Sequence, residues 1–116
     1  MSQLRKFAEV LATYGRHGWR PARVLMSAAT LAEWRAFGGA ASFGGLEPVE
    51  SEVDALWFTR PSHGGREAWE LRLVAEPPYA LFELFEADES EEDREDVRRE
   101  MEARLREYAG GRSADS

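Results

Sequence analysis

Glu70, Arg72 and Glu83 are the residues whose types and spacing could do chemistry. Two carboxylates near one guanidinium can split their pKa values and divide acid–base work, while the arginine holds an anionic substrate. Glu70 and Arg72 stand two residues apart, so in an extended strand they project from the same face, and Glu83 belongs to a later segment of the same alternating kind. That trio defines one functional reading, a small-ligand enzyme or binding protein.

Other catalytic or ligating kits are missing parts. His17 and His63 each lie in a glycine-rich turn with no neighbour at ligand spacing, and they read as solvated loop residues. The chain has no Gly-x-Ser-x-Gly elbow to expose a nucleophile. Gly38, Gly39, Gly44 and Gly45 crowd one loop but follow a helix and lack the Lys-Ser/Thr of a phosphate cradle. The acidic run Glu86 to Asp93 lacks the central glycine of a calcium loop and is better read as the solvated start of a helix. With no cysteine, thiolate metal sites, disulfides and thiol catalysis fall away together. No catalytic residue, metal ligand or cofactor is therefore assigned.

The elements that must position these residues are legible from periodicity. Leu4, Phe7, Leu11 and Tyr14 recur at i, i+3, i+7 and i+10, a helical stripe ended by Gly15, Gly18 and Pro21. Ala22 to Met26 reads as a strand. Ser27 is an N-cap for a second helix that turns Leu31, Trp34 and Phe37 to the core, with Thr30 and Glu33 at capping-box spacing. Residues 38–52 read as a loop. Three strands follow: Val53 to Arg60, Glu67 to Ala75, and Tyr79 to Glu86. Pro61 to Gly65 supplies the first turn and Pro77-Pro78 the second. A helix from about Ser90 to Tyr108 carries acid in its first turn, where the macrodipole favours it, and Glu95–Arg99, Glu100–Arg104 and Glu102–Arg106 at i,i+4.

The expected fold is thus a single α+β domain over residues 1–109, in the order α-β-α-β-β-β-α, with a disordered tail over 110–116. Its centre is a three-stranded antiparallel meander. A crossover that set Ala22–Met26 parallel to a meander strand would make it a four-stranded mixed sheet, with helices packed mainly on one face.

Composition bounds the partners. The 116 residues carry a net charge of −7 and are 43% hydrophobic, enough for one core. Residues 1–35 hold six basic groups against two acidic, a balance of +4, whereas 36–85 stand at −5 and 86–116 at −6. An acidic whole disfavours phosphate backbones, so nucleic acid is the weakest expectation and would rest on Arg5, Lys6, Arg16, Arg20 and Arg23. Attraction of that basic end to the acidic end of the same fold, or of a second copy, is the simpler use. No segment approaches the ~20 apolar residues of a membrane span, and a soluble cytoplasmic protein is expected.

Two apolar surfaces look available to a partner. If Leu56, Phe58, Trp69, Leu71, Leu73, Phe82 and Leu84 form the helix-covered sheet face, the other carries Trp57, Tyr79, Leu81 and Phe85 beside Glu70, Arg72 and Glu83. Aromatics with a few charges suit an interface, unless a helix or the 38–52 loop covers them. The second surface is the narrow stripe Val97, Met101, Leu105 and Tyr108 on the last helix. The leading expectation is a non-enzymatic module that binds another protein or itself, of an inhibitor, adaptor or immunity-like kind, with a homodimer among its forms.

Overall fold

The computed structural model describes residues 3–37, 43 and 45–114. The N-terminal apolar stripe forms helix α1 (Gln3–Arg16), which ends where Gly18 takes a left-handed φ of +81° open to glycine. Strand β1 (Arg20–Met26) leads to helix α2 (Ala28–Ala36), capped as its sequence requires: the Ser27 hydroxyl accepts from the Thr30 amide at 3.3 Å. Asp54 holds the same corner, accepting from the Ser27 amide and the Thr30 hydroxyl, both at 2.8 Å. Thr30 is therefore buried at the helix start and does not open a second capping box.

Strands β2 (Val49–Glu50), β3 (Ala55–Pro61), β4 (Glu67–Leu73) and β5 (Tyr79–Phe85) follow, and helix α3 (Glu91–Ala114) closes the chain. The Ser90 hydroxyl accepts from the Asp93 amide at 3.1 Å and fixes the start of α3. The result is one α+β domain with a five-stranded mixed sheet, in the spatial order β2-β1-β3-β4-β5. No helix of the described residues is long and apolar enough to cross a membrane.

Four features depart from the expected arrangement. Strand β1 runs antiparallel to β3, and its parallel partner is the two-residue β2, so the crossover through α2 returns to the sheet before the meander begins. The helices take both faces: α1 and α2 pack on one with Phe7, Val10, Val24, Met26, Leu31, Leu56, Phe58 and Val74, while α3 packs on the other. Phe37, expected in the core, is 64% exposed at the end of α2, and Phe43 is the loop residue buried beside Phe7 instead. The tail expected from Gly110 is helical as far as Ala114, because extending an established helix adds one bond per residue fixed. Residues 38–42 and 44, at the heart of the loop read over 38–52, lie outside the described residues, as do 115 and 116.

Candidate interaction surface

Strand register decides which side chains share a face. Leu56 pairs with Arg72 and Arg72 with Ala80; Phe58 pairs with Glu70 and Glu70 with Phe82. Leu56, Phe58, Glu70, Arg72, Ala80 and Phe82 therefore point to the α1–α2 side. Trp57, Leu71 and Leu81 are aligned on the α3 side, with Trp69, Leu73, Tyr79, Glu83 and Phe85. The expected grouping had joined Leu56 and Phe58 to Trp69, Leu71 and Leu73, one residue out of step.

This corrects both candidate surfaces. Trp57 is fully buried, and its indole N–H donates to Glu102 of α3 at 2.8 Å. Phe85 is buried and Leu81 packs into the same cluster, while Tyr79 stacks on Tyr108 with ring centroids 3.7 Å apart. Met101 and Leu105 are buried there too, with Val97 and Tyr108 against them. The two proposed interfaces thus cover each other inside one chain. A narrow apolar stripe on a charged helix is enough when it has a sheet to lie on.

Charged groups complete that layer. Arg98 is 2% exposed, bonded to Glu91 and, at 2.9 Å, to Glu95, with its guanidinium 4.5 Å from the Trp69 ring centroid. Arg23 of β1 reaches across to Glu95 at 2.7 Å. The Arg23 hydrogen bond, aided by Arg98 and opposed by burial, holds the Glu95 carboxyl down at about 2. Glu95 and Glu102 are thus turned toward the sheet, away from the i,i+4 partners Arg99 and Arg106, and α3 instead carries the pairs Glu91–Arg98, Glu95–Arg98 and Asp96–Arg99.

The chemical trio is divided. Glu70 accepts a short hydrogen bond from the Tyr14 hydroxyl under α1, and Tyr14 also stacks on Phe58 at 4.1 Å. Burial first, and then the Glu70 carboxylate, raise the Tyr14 pKa well above its usual value. Arg72 is on the same face and donates to the Leu73 carbonyl. Glu83 lies on the opposite face, so the two carboxylates do not converge. His17 and His63, read as separate loop residues, both line one shallow groove with Arg60 and the side chains of Ala68, Phe82 and Leu84. Among the described residues no group of three or more His, Asp or Glu could hold a metal ion.

What stays open is the last strand. Phe82 is 57% exposed, Ala80 is exposed and Leu84 half-buried, because α1 and α2 stop short of β5 on their side of the sheet. Trp19 meets the Phe82 ring edge to face at 6.4 Å, and Arg60 lies 4.4 Å over Trp19 while donating to the His17 carbonyl at 2.8 Å. Strand β5 is also a sheet edge. The Val74 amide donates to the Asp54 carbonyl at 2.9 Å, which turns the even-numbered residues of β4 toward β3 and the odd-numbered ones toward β5. In β5 the odd-numbered residues answer them, and the main-chain groups of Ala80, Phe82 and Leu84 face outward. The Leu84 amide accordingly donates to the Glu83 carboxylate at 3.3 Å.

The sheet's two edges are built differently. Strand β2 has two residues, a length that leaves almost no ladder to extend. Strand β5 runs for seven residues, Tyr-Ala-Leu-Phe-Glu-Leu-Phe, with no proline, lysine or bulge. Its apolar face was expected beneath the helices together with Leu56 and Phe58, although its place as the last strand of the meander pointed to an open edge.

No family model, curated protein or solved structure matches this chain. Its geometry alone carries the functional reading.

Proposed function

We propose that this chain is a non-enzymatic protein-binding module that works by strand addition at the free edge of β5. One arrangement supports the reading: Phe82, 57% exposed, sits at the centre of a seven-residue edge whose outward main-chain groups have no strand beside them among the described residues. A strand laid there gains main-chain hydrogen bonds, and Phe82 with Trp19 and Arg60 supplies the aromatic and cationic contacts that concentrate at interfaces. An inhibitor, adaptor or immunity-type role fits a module of net charge −7, whose targets would be basic.

The competing readings have less support. A small-ligand enzyme needs Glu70 and Glu83 in one cleft, and they occupy opposite faces. Nucleic-acid binding draws on Arg23, which is committed to Glu95.

A synthetic peptide of residues 79–85, extended by lysines for solubility, tests strand addition. Saturable binding should shift the amide signals of Ala80, Phe82 and Leu84 and slow their exchange. Leu84→Pro, which removes an outward-facing donor and no bond to β4, should weaken binding at least tenfold. Amide signals unmoved by peptide and by protein concentration alike would overturn the reading.

A further inference from the structure

We infer that the strand laid on β5 is β5 of a second copy, paired antiparallel about a two-fold axis at Phe82. The inference rests on the strand-addition reading and names its occupant. In that register Phe82 faces its own counterpart, Ala80 faces Leu84, and Leu84 faces Ala80, so all three residues with outward main-chain groups meet residues of the same kind. About six main-chain hydrogen bonds form across the axis, two for each such pair. The Leu84 amide exchanges its bond to Glu83 for one to the second copy.

Self-complementarity selects a second copy over an arbitrary strand. The two-fold sets Glu83 opposite Leu81, so no carboxylate within the strand faces another across the ladder. Pro78 falls opposite Glu86, and the proline's missing donor sets the end of the ladder at the end of the strand. On one face Ala80, Phe82 and Leu84 of both copies join in a single apolar strip, with a Trp19 against each Phe82 on either side of the axis. On the other face, each α3 runs back along its own β5, with Tyr108 on Tyr79 and Arg94 over Phe85. The two α3 helices are then antiparallel. The acidic first turn of one (Glu91, Glu92, Asp93) lies toward the half of the other that carries Arg104. Association stops at two because the remaining edge, β2, is too short to continue it.

The absence of cysteine makes the test specific to register. Phe82→Cys places single thiols at the axis, with paired Cα atoms about 5.5 Å apart, inside disulfide range. Leu84→Cys places them four positions apart along the ladder, about 13 Å, beyond reach. Wild type should show twice the 13.1 kDa chain mass by light scattering at high concentration and the single mass on dilution. Under mild oxidation Phe82→Cys should become a disulfide-linked dimer, Leu84→Cys alone should not, and an equimolar mixture of Ala80→Cys and Leu84→Cys should cross-link. Phe82→Lys, at an exposed position that leaves the fold intact by circular dichroism, should hold the single mass at all concentrations.

Wild type that stays at the single mass throughout overturns the inference; if it still binds the 79–85 peptide, strand addition itself survives. A dimer insensitive to Phe82→Lys, or one that cross-links through Leu84→Cys and not Phe82→Cys, also overturns it.

Discussion

The Arg98 guanidinium lies 4.5 Å from the centroid of the Trp69 ring, with both groups held between α3 and the sheet. A cation at 2% exposure would be costly without partners, and it has three kinds: carboxylates from Glu91 and Glu95, the Trp69 face, and the Phe85 ring at 5.7 Å. This one side chain turns a strongly charged helix into a lid for an aromatic sheet face.

Removing it should be expensive and graded. Arg98→Ala opens a void beside Trp69 and releases two carboxylates. Glu91 is well exposed and rehydrates, so the cost should fall near the lower end for a broken buried pair, about 3 kcal/mol. Arg98→Met keeps the aliphatic volume and should cost about half of that, while Arg98→Lys loses the planar stack. Urea unfolding monitored by tryptophan fluorescence ranks the three. Equal stability for alanine and methionine would show that packing against Trp69 carries nothing.

Acid should loosen the same contact. Glu95 stands at about 2 against an ordinary 4.5, chiefly through its hydrogen bond from Arg23. The folded value is the lower one, so the unfolded chain takes up the proton first. The contribution is complete above about pH 4.5 and is lost as pH falls toward 2. With the side chain partly exposed, the share is on the order of 2 kcal/mol. Glu95→Gln should lower the urea midpoint at pH 7 and flatten its fall between pH 4.5 and 2. An unchanged slope would place the acid sensitivity on other carboxylates.

The two α1-side and α3-side layers were unequally legible in the sequence. The α1 stripe and the cap at Ser27 follow from spacing and side-chain chemistry alone, and each is found in place. The face assignment failed in aligning β4 with β3: alternation within β4 is clean, but Ala55, Leu56, Trp57 and Phe58 of β3 are all buried and give it nothing to align with. A strand covered on both sides has no polar alternation to reveal which residue faces which layer. That offset joins Trp69, Leu71 and Leu73 to the face of Leu56, Phe58 and Phe82; Trp57 lies in the core because α3 covers the second face, and Phe82 is exposed because α1 and α2 stop short of β5. Glu70 misled in the other direction: a carboxylate in an alternating strand reads as solvent-facing, yet it lies beneath Tyr14.

That burial makes Trp57 a test of the fold instead of a surface. Trp57→Ala should destabilise by about 3–5 kcal/mol through the cavity it leaves. Trp57→Phe should cost less, losing the 2.8 Å hydrogen bond to Glu102 and part of the ring. Thermal unfolding by circular dichroism separates them, and two nearly silent substitutions would contradict the packing of α3.

Tyr14 should govern the alkaline limit. Its folded pKa is raised by burial and then by Glu70, so the contribution is whole below the unfolded value of 10.0 and declines as pH rises beyond it. Tyr14→Phe keeps the stack on Phe58 and strands the Glu70 carboxylate, costing about 1–2 kcal/mol at neutral pH. It should also remove part of the loss of stability above pH 10, measured by urea unfolding in alkaline buffers. Wild type and variant that fall in parallel there would exclude the tyrosine as the source.

Glu83 offers the last test, because in the single chain it occupies a donor that strand addition needs. Its carboxylate accepts from the Leu84 amide at 3.3 Å, and a pairing strand must displace it. A half-buried contact of this kind is worth about 0.5–1.5 kcal/mol and each copy gives up one, so Glu83→Ala should tighten dimerisation at β5 by roughly five- to a hundredfold while leaving the fold intact. Removing the charge also lowers the cost of desolvating the edge. Sedimentation equilibrium of the variant beside wild type reads the difference directly. If the dissociation constant rises on removing Glu83, the carboxylate contributes to the paired state, and the edge is not blocked by its own side chain.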